Sequence, residues 1–228
     1  ILAVPLLLYL VGLNDPHLAI GTSAVAVSVS ALVNLLLHAR QGTIKWPCAI
    51  TFAVSGSLGA LVGAAVGKAV DGQKLLLAFA VAMFGVGVSM LLRKPNAGDT
   101  DVRITPGIAA RLIPTGFVTG AASGFFGIGG GFLIVPGLIG ATNMAMLNAV
   151  GSSLVAVTAF GAATAASYAV SGLVDWKIAG LFVLGGLAGG FIGQRMSTML
   201  AGRKGALTRI FAVFIFVTAT YIAWKALA

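Results

Sequence analysis

Apolar positions in this chain do not alternate with polar ones. They run in long blocks, and the few charged residues sit between the blocks. Leu18 to Leu37 spans 20 residues bounded by His17 and His38, Trp46 to Gly67 spans 22 between Lys45 and Lys68, and Leu75 to Leu92 spans 18 between Lys74 and Arg93. Further on, Ile178 to Gln194 gives 17 residues and Ile210 to Trp224 gives 15. A bilayer core takes about 20 apolar residues of helix, with about 17 to 25 usual, and the stems of flanking Lys and Arg extend the shorter blocks to the headgroups. The blocks mix Ala, Val, Leu and Gly with no period of two, so they predict helices rather than barrel strands.

Composition turns this pattern into a class. Of 228 residues, 59% are hydrophobic and 8% charged, where a soluble domain carries about 25% charged residues. So few charges cannot cover a water-soluble globule, and the expected fold is an all-α polytopic membrane protein in a lipid bilayer. The net charge of +9 punctuates apolar blocks instead of forming a basic face, which excludes nucleic acid as a partner. The lone cysteine, Cys48, excludes a disulfide framework or clustered thiolates. No block holds an acid at mid-depth, and the two histidines, His17 and His38, stand at block ends. An intramembrane enzyme would need paired acids, or a serine with a base at depth; neither is present, so an enzyme is not expected, and no cofactor is called for.

One stretch is longer than a single crossing. From Leu112 to Val174 there are 63 residues without Asp, Lys, Arg or His. Gly124, Gly127, Gly129, Gly130 and Gly131 interrupt it, followed by Pro136. Each glycine in a continuous helix would cost about 1 kcal/mol relative to alanine, so the chain is expected to end one helix at the cluster and begin another after it. Non-helical backbone inside a membrane survives only where protein buries it or it lines a wet cavity. Two readings stay open for Gly127, Gly129, Gly130 and Gly131: a cradle of free backbone amides for a ligand, or small residues that let helices pack closely.

The sequence also repeats itself. Ile1-Leu-Ala-Val-Pro5 matches Phe132-Leu-Ile-Val-Pro136 at an offset of 131, and Ala19-Ile-Gly-Thr-Ser-Ala-Val-Ala-Val27 matches Ala149-Val-Gly-Ser-Ser-Leu-Val-Ala-Val157 at 130. Gly42 and Gly172, Trp46 and Trp176, then Gly56, Gly59 and Gly63 against Gly186, Gly189 and Gly193 continue the register. This gives a first repeat over 1–94, a linker over 95–106 and a second repeat over 107–228. The residue matching Gly131 falls just upstream of Ile1, so the repeat predicts a first glycine cluster in a segment preceding this sequence. Orientation follows from the excess of Lys and Arg in cytoplasmic loops. If the glycine-rich stretch crosses once, the basic residues divide 8 against 6; if it goes in and returns, they divide 10 against 4. The second division predicts inverted repeats broken near the midplane, a cytoplasmic linker and a periplasmic C-terminus.

Gly124-Phe-Phe-Gly-Ile-Gly-Gly-Gly-Phe-Leu-Ile-Val-Pro136, with Asn148-Ala-Val-Gly-Ser-Ser153 and Gly172-Leu-Val-Asp-Trp176, resembles the sulfite exporter TauE/SafE family. The repeated halves extend the similarity over essentially the whole chain. The resemblance implies a permease of the bacterial inner membrane that moves small sulfur-containing anions such as sulfite, sulfoacetate, thiosulfate or an organosulfonate. The departure is at the start, where the family's first glycine-rich motif is not present before Ile1.

The chemistry of the motif suits an anion. A helix beginning inside the membrane presents unpaired N–H groups and about half a positive charge at its N-terminus, and glycine lets a ligand approach the backbone. Thr22 and Ser23 match Ser152 and Ser153 across the repeat, near their helix starts; they either donate to the anion or bond back to the preceding turn. Asn148 either joins them or caps its helix. Asn34 and Thr164 also match and are expected to hydrogen-bond between helices, whereas Asp15 and Asp175 read as helix caps. The substrate-binding set is therefore Gly127, Gly129, Gly130, Gly131, Ser152, Ser153, Asn148, Thr22 and Ser23. The expected function is a transporter of small anions, with an anion-selective channel as the alternative, because dipole-lined pores also select anions. The residues do not set an oligomeric state.

Overall fold

The computed structural model describes residues 3–13, 15–40, 42–92, 98–127, 131–200, 220 and 224. These form α1 (Ala3–Tyr9), α2 (Pro16–Arg40), α3 (Trp46–Ala69), α4 (Gly72–Leu92), α5 (Pro106–Phe126), α6 (Gly131–Thr142), α7 (Met146–Val170) and α8 (Trp176–Leu200). Among the described residues the only β-type pairing is an isolated bridge between Asp99 and Met144. Helices α2, α3 and α7 are each long and apolar enough to cross a membrane. Large apolar side chains remain exposed along them, including Leu36, Val54, Leu58 and Val62; in lipid such faces need no protein cover. Most of the Ile210–Trp224 block expected as a final span lies outside the described residues.

Three of the five aspartates mark one end of the bundle. The Asp15 carboxylate accepts from His17 N (2.8 Å), Asp71 from Gln73 N (3.0 Å) and Lys74 N (3.2 Å), and Asp175 from Lys177 N and Ile178 N (3.0 Å each). Each satisfies orphan amides in the first turn of its helix, so Asp15 and Asp175 act as the caps the sequence predicts. At the opposite end Asp101 pairs with Lys45 at 3.5 Å and with Arg103 at 3.9 Å.

Element boundaries follow the repeat. Helices α2 and α7 are both 25 residues, and both their ends are offset by 130 positions; α3 and α8 start 130 apart. The turns after α2 and α7 contain Gly42 at φ +67° and Gly172 at φ +70°, a left-handed conformation that glycine adopts without steric cost. Helices α2 and α7 pack antiparallel: Ser28 Oγ donates to Thr158 O (2.9 Å), the start of α2 lies against the turn after α7, and the start of α7 lies against the turn after α2.

Helix α5 begins earlier than its uncharged block. Thr105 Oγ1 accepts from Ile108 N (3.3 Å) and Pro106 occupies the first helical position, so Arg111 falls in the second turn. It runs in the same direction as α3 along most of that helix. An ideal Cβ at Gly120 would lie 1.9 Å from Gly56 O, one at Gly124 2.0 Å from Ala60 O, one at Gly63 1.9 Å from Ala121 O, and one at Gly67 2.6 Å from Phe125 O. Backbone thus touches backbone from end to end, in the manner of small-residue packing in membranes. The core beside this seam is capped by Phe52 and Phe160, stacked at 6.0 Å between centroids and both fully buried.

Candidate functional site

The glycine cluster ends α5. Gly127 takes φ +65° and ψ +22°, and its N–H bonds back to the carbonyls of Gly124 and Ser123, closing the helix with a left-handed residue. Helix α6 starts at Gly131 and returns alongside α5: an ideal Cβ at Gly137 would sit 3.2 Å from Thr119 Oγ1. After α6, Asn143 O accepts from Asp99 N (2.9 Å) and Ala145 N donates to Asp99 O (2.9 Å), so this hairpin comes back to the end from which α5 departs. Gly129 and Gly130 lie outside the described residues.

Register fixes the depth of the break. Ser23 Oγ donates to Ile20 O (2.9 Å) and Gly127 O (3.3 Å). Ser23 is five residues from Ser28, which meets its own repeat mate Thr158, so Gly127 lies about 8 Å along the bundle from that central contact at 1.5 Å per residue.

The predicted residues separate into two sets. Thr22, Ser23 and Gly127 gather at the capped end, where Thr22 Oγ1 accepts from Asp175 N (2.9 Å). Ser152, Ser153 and Asn148 gather at the Lys45 end: Ser152 Oγ accepts from Lys45 N (2.9 Å), Ser153 Oγ donates to Val150 O (2.7 Å), and Asn148 Nδ2 donates to Thr100 O (3.2 Å). Because α2 and α7 are antiparallel, Ser23 and Ser153 are about 15 Å apart along the bundle. The two sets mirror each other residue by residue. Lys45 N to Ser152 and Asp175 N to Thr22 are one bond made twice, with both partners shifted by 130 positions. The glycines beside them behave alike: a Cβ at Gly21 would meet Leu173 O and one at Gly151 would meet the backbone and hydroxyl of Thr43, again 130 apart.

Other expectations fare differently. Asn34 and Thr164 do not bond between helices: Asn34 Nδ2 donates to Ser30 O of its own helix (2.8 Å), and Thr164 Oγ1 has no partner. Asn34 faces a groove of about 550 Å³ between α1, α2 and α8, lined by Ala3, Leu6, Ser30, Gly185 and Gly186. The repeat equivalents of Ser30 and Gly186 are Phe160 and Gly56: a Cβ at Gly56 would meet the Phe160 ring and the Gly116 carbonyl of α5. Sequence reasoning passed over Ser123, which is fully buried in the last turn of α5 with no hydrogen-bond partner. The one signal was its place a single turn before Gly127.

Comparison with known proteins assigns the chain. A probable membrane transporter protein of Xylella fastidiosa (strain Temecula1) is 48% identical over 229 residues, covering 100% of this chain and 88% of its own length. Probable membrane transporter protein YunE of Bacillus subtilis is 27% identical over 197 residues, 80% of this chain and 72% of its own. MJ0441 of Methanocaldococcus jannaschii, also named a probable membrane transporter protein, is 28% identical over 121 residues, 52% of this chain and 43% of its own. No solved structure matches the chain. The sulfite exporter TauE/SafE family matches residues 1–222, and the chain, with its long apolar helices, belongs to that family as a multi-pass membrane transporter.

Proposed function

We propose that this transporter moves a small sulfur-containing anion across the bacterial inner membrane, that its halves are inverted repeats, and that the anion binds where α5 gives way to α6. The observation that carries the reading is the helix break at Gly127, about one and a half turns from the Ser28–Thr158 contact, with α6 restarting at Gly131. The amides of Gly129, Gly130 and Gly131 and the positive end of α6 supply attraction without a buried lysine. Such a site holds an anion by dipoles and releases it readily. Thr22 and Ser23 line the Gly127 side, and Ser152, Ser153 and Asn148 line the equivalent position of the other half. The duplicated bond, Lys45 to Ser152 and Asp175 to Thr22, supports the inverted arrangement, because a two-fold axis across the bundle produces that reciprocity. Taking the Ser28–Thr158 contact as the bilayer centre, the two hydroxyl sets stand about 8 Å to either side of it in a core of about 30 Å. An inside-negative potential supplies about 2.3 kcal/mol per charge per 100 mV for outward movement.

Two measurements test this. In proteoliposomes, saturable flux of radiolabelled sulfite or thiosulfate is expected, together with thermal stabilisation of the purified protein by the same anions but not by choline or sodium; a protein indifferent to every oxyanion and sulfonate tried refutes the anion reading. For orientation, a tag at Ala228 is expected to be reached from the periplasm and one at Gly98 only after permeabilisation. The reverse labelling refutes the assignment of sides.

A further inference from the structure

Hydroxyls in this bundle follow a local habit. Ser23, Ser55, Ser57, Thr51, Thr142, Ser153, Thr158 and Ser171 each donate to a carbonyl three or four residues back in their own helix. That bond is the ordinary way for Ser and Thr to meet their hydrogen-bonding need in an apolar helix. Ser123 and Thr164 do not make it. Both are fully buried, and neither Ser123 Oγ nor Thr164 Oγ1 has any partner.

Register brings these two hydroxyls to the glycine break. Thr164 is six residues beyond Thr158 on α7, and Ser23 is five residues from Ser28 on antiparallel α2; with Ser28 opposite Thr158, Thr164 and Ser23 share one level to within about 2 Å. Ser23 touches Gly127 there. Ser123 stands one turn below Gly127, and its carbonyl accepts the Gly127 N–H. Helix α3 links the two: a Cβ at Gly124 would meet the Ala60 backbone, and one turn earlier on α3 a Cβ at Gly56 would meet the ring of Phe160, which is one turn before Thr164 on α7. Helix α6 passes Thr119 at Gly137, so its first turn rises to the level of Ser123.

The geometry points to Ser123 Oγ and Thr164 Oγ1 as the substrate's hydroxyl ligands: two preset neutral donors that meet an oxyanion's oxygens opposite the first-turn amides of α6. This rests on the anion reading above and adds to it the side chains that touch the cargo. Ser23 and Ser153 already spend their O–H on carbonyls of their own helices, and Thr22 and Ser152 accept the loop amides of Asp175 and Lys45, so these four hydroxyls hold the scaffold. Tyr168, one turn beyond Thr164, is also fully buried with its hydroxyl unpartnered, and stands as the next donor toward the Lys68 end. Hydroxyls and amides without a cation discriminate by oxygen geometry rather than by charge alone, which favours sulfite, thiosulfate or a sulfonate over a halide of equal charge.

The test uses Ser123→Ala, Thr164→Val and Thr164→Ser in the full protein, with radiolabelled sulfite and thiosulfate as probes. For Ser123→Ala and Thr164→Val we expect KM to rise about tenfold each, the usual effect of removing a hydrogen bond to a charged group. Thr164→Ser should restore the wild-type KM. Without anion, both hydroxyl-deleted variants should melt at or above the wild-type temperature, because an unpaired buried hydroxyl has been removed, while sulfite-induced stabilisation shrinks. A structural role gives the opposite sign, a lower melting temperature with KM unchanged, and overturns the proposal. Wild-type KM and stabilisation in both variants overturn it too, leaving anion transport intact. A wild-type protein that neither carries nor is stabilised by these anions removes the anion reading itself, and this assignment with it.

Discussion

Replacing Gly120 with valine should leave a protein that inserts but does not hold α3 against α5. A Cβ at this position lies 1.9 Å from Gly56 O and 2.6 Å from Gly56 Cα. Both obstacles are backbone inside a helix, so no side-chain rotation relieves them. The neighbouring contacts at Gly124, Gly59 and Gly63 are equally close and equally backbone in character, so the seam cannot open at one point without parting along several turns. The loss should reach about 3 kcal/mol or more, the upper part of the range for overpacking a tight core. Unfolding in mixed micelles, followed by circular dichroism against denaturing detergent, measures it. Gly180→Ala in α8 is the control, since nothing lies within 4 Å of its Cβ position; it should be neutral or gain up to about 1 kcal/mol in helix propensity. Equal stability of Gly120→Val and the wild type would mean that α3 and α5 do not meet along this face.

Gly127→Val should cripple transport by a different route. At φ +65° a β-branched side chain is a conformational outlier, and the left-handed region costs an L-residue roughly 1–2 kcal/mol before any contact is counted. Its Cβ would also fall 1.8 Å from Ile20 Cγ2. That obstacle is the end of a side chain, so Ile20→Ala can clear the space and leave the backbone effect alone. We expect flux to drop about a hundredfold in Gly127→Val, to stay low in the double variant Ile20→Ala/Gly127→Val, and to be nearly normal in Ile20→Ala. A hundredfold corresponds to about 2.7 kcal/mol. Recovery in the double variant would make crowding the cause and remove the case for a required left-handed residue at the break.

How much of this was readable before folding depends on where the information resides. Spans α2, α3 and α7 were legible because basic residues and glycine turns bracket them and because 130-residue spacing repeats their boundaries. The start of α5 did not follow from its uncharged block, which begins only at Leu112: Thr105-Pro106 is the helix-start signal that sets the boundary, and Arg111 falls inside the helix. The match of Thr22 with Ser152 was visible by counting, but counting says nothing of direction. Only antiparallel packing of α2 on α7 sends the two members of each pair to opposite ends. That the hydroxyls of Ser123 and Thr164 go unpartnered lay beyond pattern altogether. Whether a hydroxyl bonds back to its own helix is settled by its rotamer and its neighbours, and Ser23 and Ser123 look alike as letters.

The duplicated bond between loop and helix bears on biogenesis. The amide of Lys45, at the turn joining α2 to α3, is satisfied by a hydroxyl synthesised 107 residues later, and the matching turn near Asp175 depends on a hydroxyl made 153 residues earlier. Neither hairpin can complete its own bend. An early hairpin leaving the insertion machinery alone lacks that acceptor until α7 arrives, so the bond at its bend forms only once Ser152 is in place.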